Sequence, residues 1–367
     1  MKSNKREPRK SAPLPKAGPP PRWRLPAVAA AGALIALIWA YAPALRGPFL
    51  FDDTALRPSI HGFDDPLGVW LKGLRPVLMF SYWINARLSG EETYSYHVLN
   101  VAIHCIASGL VFLIGRRLLE WARVEGSRRN ILAGFVGLVF LLHPVQTEAV
   151  AYLSGRSESL SVALALGAFT VFLYRRKAEA SWGPVAAVLL LFGLAVLAKE
   201  QTVALPALLL LTDYWWNPGF GFQGIRANWR LYGPILAGAA VGVALFLPRI
   251  LNSASAGFHL KDLTWYQYFF TQCRALFVYP VILAAPARLT ADWDFGISKT
   301  ILDRGAIVGL AALIALAAAA WHYRRRFPLA TYGFFVYLVL MAPTSSILPI
   351  RDPLAERRLY FSMLGLL

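Results

Sequence analysis

Charge is scarce in this sequence, and acidic charge is the scarcest. Of 367 residues only 16% are charged, with 20 Asp and Glu against 37 Lys and Arg. Soluble domains average about 25% charged, so a soluble multidomain chain is excluded. Cysteine is nearly missing. Cys105 and Cys273 both sit in apolar stretches, and neither belongs to a CxxC pair, which excludes a disulfide framework and a cysteine-based zinc site. There is no Walker A motif and no Gly-rich dinucleotide loop, so nothing points to ATP coupling or a nicotinamide cofactor. No internal repeat is visible. The inverted pairs of broken helices that mark many secondary transporters are also missing.

Apolar sequence is what remains. Hydrophobic residues make up 57% of the chain and the mean hydropathy is +0.49. They cluster in long runs, at 25–45, 97–115, 130–143, 158–174, 183–198, 202–216, 231–247, 264–285, 304–322 and 328–347. The fold class expected is therefore all-α, a polytopic transmembrane helix bundle with about nine or ten spans. In a soluble protein the formal charge of +17 would suggest nucleic acid. Here the excess lies in a terminal tail and short loops, as the positive-inside rule expects, and no nucleic-acid partner is expected.

Residues 1–24 are basic and rich in proline and read as a disordered cytoplasmic tail. Residues 25–367 read as one multi-span membrane domain. The apolar run that begins at Tyr360 stops after a few residues at Leu367, so the sequence reads as cut short. Arg116–Arg129, Arg175–Lys177, Arg226–Arg230 and Arg324–Arg326 mark further inside loops. The segments around Asp52, His143 and Lys199 then face outward. Segment 264–285, with Gln267, Gln272 and Arg274, breaks the alternation and reads as re-entrant or interfacial rather than spanning. The first outer loop, 46–93, is expected to carry short surface helices, one of them around 76–88.

Ionisable groups beside membrane spans cost about 2.5–3.5 kcal/mol on the translocon scale, and here they concentrate on the expected outer side. Asp52–Asp53 follows the first span. Adjacent carboxylates disfavour double ionisation, which tunes one of them toward a general base, although a solvated loop start reads equally well. Arg75, followed by Pro76, opens a surface helix and suits either a phosphate or a lipid headgroup. His97, Asn100 and His104 share one helical face, suited to interhelical hydrogen bonds; two histidines seven residues apart are too distant for one simple metal site. His143 and Pro144 end a span, and Glu148, Tyr152 and Arg156 follow at helical spacing. Lys199 and Glu200 sit between two apolar runs, either as a tight turn or as a seat for an anionic lipid phosphate. Asp292–Asp294 and Arg351–Arg358 are weaker charge clusters.

These pieces occur together in one family. RPVLMFSYWIN (75–85), YHVLNVAIH (96–104), HPVQTEAVAYLSGR (143–156), LAKEQ (197–201), LTADWDFG (289–296) and DPLAERRLY (352–360) resemble the membrane portion of the transmembrane and TPR-repeat protein O-mannosyltransferases and their bacterial homologues, within the C-type glycosyltransferase superfamily. The resemblance runs over roughly 48–360; the TPR array that follows in that family is missing. It implies a membrane glycosyltransferase that moves a sugar, mannose first, from a polyprenyl-phosphate carrier to a hydroxyl of an acceptor protein or glycan, by an inverting displacement on the outer face. It implies Asp53 as the base with Asp52 as its partner, and Lys199 near the lipid phosphate. Arg75, Arg156, Glu148, His97, His143 and Glu200 fall in matching motifs and are expected at the substrate and lipid-phosphate site. Some superfamily members take a divalent metal and others do not, and the motifs here name none. A bacterial inner membrane is the expected location. The competing expectations are a flippase of lipid-linked sugars and a non-catalytic membrane scaffold.

Overall fold

The computed structural model describes residues 24–56, 62, 64–175, 179–251, 257 and 262–367. The basic tail of the sequence reading lies almost wholly outside them. Each of the ten apolar runs is a helix, and an eleventh lies in the first long loop. In chain order these are α1 (Arg24–Tyr41), α2 (Pro76–Ser89), α3 (Tyr94–Trp121), α4 (Gly126–Leu142), α5 (Arg156–Leu173), α6 (Trp182–Ala198), α7 (Leu205–Trp216), α8 (Trp229–Leu251), α9 (Trp265–Ala284), α10 (Ala306–Tyr323) and α11 (Pro328–Met341). No strand occurs among the described residues. The protein is an all-α, multi-pass membrane bundle. Four helical stretches, Ala27–Arg46, Tyr94–Trp121, Leu153–Leu173 and Asp303–Tyr323, are individually long and apolar enough to cross a bilayer. A fifth candidate is α4 taken with the bent segment that follows it.

Local chemistry sets the helix ends. Pro76 and Pro328 open α2 and α11, where a missing N–H costs nothing. The Gln267 side chain accepts a hydrogen bond from the Thr264 backbone N–H at 3.1 Å and anchors the start of α9. Pro144 cannot continue α4, so His143 is extended and the chain turns by 50° into Pro144–Val150.

Helix α5 is the centre of the bundle and packs along α6 and α3, while α3 packs along α4. Ala107, Ala133, Ala165 and Ala168 are fully buried, so the backbones approach closely, which is how helices associate without a hydrophobic drive from water. A separate apolar cluster of Phe49, Trp70, Leu78, Tyr82, Ala86, Tyr96 and Leu153 seats α2. This is the surface helix expected in the first loop.

Arg117, Arg230 and Arg324 stand over Trp121, Trp229 and Trp321 at 5.3, 5.8 and 4.2 Å. All three pairs lie at the end of the bundle where α5 finishes. The other end carries the candidate site. Helix α9 belongs to that second end at both its termini. Tyr268, in its first turn, donates to the Thr344 carbonyl just past α11. Leu283, in its last turn, accepts from His143.

Candidate active site

A cleft of about 620 Å³ opens where the first long loop, the His143–Arg156 segment and the last two loops meet. Asp52, Asp53, His97, Glu148, Glu356 and Arg357 all line it. Phe51 immediately precedes the acidic pair and has φ +45°, a left-handed conformation that is costly for a bulky residue and tends to cluster at active sites.

The acidic pair is divided. Asp53 is buried. Its Oδ1 accepts from the backbone N–H and the hydroxyl of Ser154, both at 2.6 Å, and its Oδ2 from the Leu50 N–H at 3.2 Å. Burial pushes its carboxyl above the ordinary range, against the opposing pull of those hydrogen bonds. Asp52 is exposed. Its backbone N–H donates to the Tyr152 hydroxyl at 2.8 Å, which leaves its carboxylate at the cleft wall.

Ser154 can hold Asp53 only because Gly155 follows it. A Cβ at Gly155 would stand 2.5 Å from the Glu148 carbonyl and 2.9 Å from Ala149. The Leu153–Gly155 turn therefore lies directly on the Thr147–Val150 helical turn, and the two halves of HPVQTEAVAYLSGR form one wall.

Ion pairs tie this wall to the last loop. Glu148 accepts from the Arg357 guanidinium at 2.5 Å and from its backbone N–H at 2.8 Å. Arg357 also donates to Asp352 at 2.9 Å. Burial works against the guanidinium charge, but the Glu148 carboxylate outweighs it and raises the Arg357 pKa. Glu356 accepts from the Thr290 N–H at 2.7 Å and the Trp293 indole N–H at 3.1 Å, fixing the LTADW loop; burial raises its pKa. Beside the cleft, Arg75 grips Glu200 with two nitrogens, at 3.0 and 2.8 Å. Burial opposes ionisation of Glu200, but this fork holds its carboxyl below the ordinary range. Lys199 pairs with Glu158, which also accepts from Gln201. Burial lowers the Lys199 pKa, and the Glu158 carboxylate offsets part of that.

Nine residues were expected at the site, and the structure distributes them. Asp52, Asp53, His97 and Glu148 line the cleft, whereas Lys199, Arg75 and Glu200 form the adjoining cluster and do not line it. Arg156 is fully buried. Its guanidinium donates to Asn100 at 2.6 Å, Asn85 at 2.7 Å and the Tyr96 carbonyl at 2.9 Å, and it stacks on Tyr82 at 4.4 Å. It ties α2, α3 and α5 together. His143 is a joint. Its Nδ1 accepts from the Val145 N–H, so the proton is on Nε2, which donates to the Leu283 carbonyl at 2.8 Å. His97 meets the Gly47 carbonyl at 3.1 Å, and His104 bridges the Leu141 carbonyl and Tyr360; their shared face makes contacts between segments. Sequence reading did not single out Ser154, and took Glu356 and Arg357 only as part of a weaker charge cluster. The signal available for all three was their place in a quoted motif. Among the described residues no group of three or more His, Cys, Asp or Glu side chains gathers as metal ligands would.

Comparison with known proteins agrees with the motifs. The chain is 38% identical over 136 residues to protein O-mannosyl-transferase Tmtc1 of Drosophila melanogaster, covering 37% of this chain and 15% of that protein. It is 31% identical over 134 residues to protein O-mannosyl-transferase TMTC3 of Homo sapiens, covering 36% and 14%. A protein O-mannosyl-transferase of Caenorhabditis elegans is 27% identical over 194 residues, covering 47% and 26%. The chain thus spans about a quarter or less of the length of these relatives. No family model matches it, and no solved structure matches it. Over part of its length, this chain is similar in sequence to proteins named protein O-mannosyl-transferase.

Proposed function

We propose that this chain is an integral-membrane glycosyltransferase that moves mannose from a polyprenyl-phosphate carrier to an acceptor hydroxyl on the outer side of the membrane. The observation that carries the reading is the acidic pair on the wall of a cleft at one end of an apolar bundle, with cations standing alongside. The names of the relatives supply the sugar. The apolar helices give a prenyl tail a place to lie, and the cleft admits a hydroxyl from water.

The chemistry follows from those parts. A carboxylate of the Asp52–Asp53 pair takes the acceptor's proton as its oxygen attacks the anomeric carbon. Burial above the ordinary carboxylate range fits Asp53 to that task, while Asp52 offers the open side chain. The bond to the phosphate oxygen breaks with its electron pair, and a nearby side-chain cation stabilises the charge on the leaving phosphate. One displacement inverts the anomeric centre.

The test supplies the purified chain in nanodiscs with a labelled short-chain polyprenyl-phosphate mannose and measures release of polyprenyl phosphate. Release should depend on the acidic pair, and Asp52→Asn against Asp53→Asn identifies which member is the base. Lipid movement across the bilayer without release would replace the enzyme reading with a flippase.

A further inference from the structure

The residues that line the cleft include six carboxylates, those of Asp52, Asp53, Glu148, Asp292, Asp352 and Glu356, but one arginine and no lysine. An anion entering there meets mostly like charge, and in a partly buried site such repulsion is only weakly screened. The cations expected to receive a lipid phosphate lie elsewhere. Lys199 is paired with Glu158 and Arg75 with Glu200, and neither lines the cleft. The cleft arginine is Arg357, whose side chain is 29% exposed and fixed from two sides by Glu148 and Asp352. A guanidinium carries five N–H donors, and these two ion pairs occupy one on each terminal nitrogen.

We propose that Arg357 receives the phosphate oxygens of the donor lipid, and that Glu148 and Asp352 are positioning residues holding its guanidinium in the cleft. The inference rests on the glycosyltransferase reading above. A planar guanidinium matches two phosphate oxygens at once, which an ammonium does not. As the anomeric C–O bond breaks, its electron pair passes to the phosphate oxygen, whose charge grows by one. The proton released by the acceptor goes to the acidic pair. Arg357 lines the same cleft as the acidic pair and is paired there with Glu148. An arginine preset by two carboxylates meets that growing charge without first reorganising.

The experiment is equilibrium binding of a short-chain polyprenyl phosphate to the full chain in nanodiscs, with the matching polyprenol as control. Arg357→Gln alone would leave Glu148 buried and unpaired, so the decisive variant is R357Q/E148Q, which keeps a neutral hydrogen-bonding pair. It should bind the phosphate lipid about ten- to a hundredfold more weakly and the polyprenol as wild type does. R357K should recover part of the loss, because charge returns without the fork. Glu179→Ala, at the exposed Arg230–Glu179 pair of the opposite end, should bind normally. Normal binding of the phosphate lipid by R357Q/E148Q, with loss in K199A instead, overturns the assignment of Arg357 and leaves the enzyme reading standing. Wild-type binding no stronger for the phosphate than for the polyprenol overturns both.

Discussion

The two ends of α5 carry buried charge in different ways. The helix is 18 residues long, about 27 Å at 1.5 Å per residue. Past its last turn, Arg175 donates to Asp213 at 2.6 Å. The same carboxylate accepts from Asn217 at 3.1 Å, Asn228 at 2.7 Å and the Tyr232 hydroxyl at 2.8 Å. Asp213 is fully buried and does not line the cleft. At the first turn, by contrast, the carboxylates are unequal. Asp53 and Glu356 are enclosed, Glu148 is nearly so, and Asp52, Asp292 and Asp352 are open. A charge inside a membrane protein is a functional candidate by default, yet Asp213 has every lone pair answered and stands away from the cleft. Its role is to join α5, α7 and α8. What distinguishes a site is charge left partly unanswered around a space.

The comparison can be broken at either end. The largest effect expected is on transfer at the cleft. Replacing the base within the Asp52–Asp53 pair by Asn should slow sugar release by about 10²–10⁴-fold, while Asp213→Asn should leave the rate per folded molecule unchanged. Single-turnover release in nanodiscs reads both. Next comes stability at the opposite end. Asp213→Ala removes the carboxylate that answers the buried Arg175 charge, whose side chain is 6% exposed, and should cost about 3–5 kcal/mol, visible as a fall in the thermal midpoint in detergent. Asp52→Ala should barely move that midpoint.

A smaller effect concerns pH. Burial raises the Asp53 carboxyl above its ordinary range, so if Asp53 is the base, the acid limb of the rate profile should lie above the usual carboxylate pKa and vanish in Asp53→Asn. An acid limb that survives in Asp53→Asn would transfer the role to Asp52. The stability sign runs the other way. A carboxyl raised in the folded state favours the protonated form, so its contribution is full below the ordinary carboxylate pKa and is lost as pH rises through the raised value. The smallest effect is expected at the exposed Arg230–Glu179 pair, 36% and 50% exposed, where Glu179→Ala should change stability by less than about 1 kcal/mol.

Much of this fold was legible because hydropathy acts residue by residue. All ten apolar runs are helices, and Pro144 ends α4 as its missing N–H requires. Pairings were harder to read because they depend on distant partners. Arg156 looked like a substrate residue by position, and only the arrival of Asn85, Asn100 and Tyr96 from other helices shows its donors in use. Asp213 was passed over, though a lone acid in the apolar stretch LPALLLLTDYWW was a usable sign. The segment 143–156 was read as a unit, and its middle residues Thr147, Glu148, Ala151 and Tyr152 line the cleft. The contact between its two halves is carried by the size of Gly155, which no pattern of polar residues announces.

That glycine has a consequence for how the protein tolerates change. Gly155 contributes no side-chain bond, yet a single added methyl would collide with the Glu148 and Ala149 backbone and force apart the turn that presents Ser154 to Asp53. In a saturation library scored for transfer, position 155 should behave like a catalytic position, rejecting alanine as firmly as position 53 rejects asparagine. The acidic pair is thus guarded by an empty volume as much as by any charge, and sequence drift around it is limited first by space.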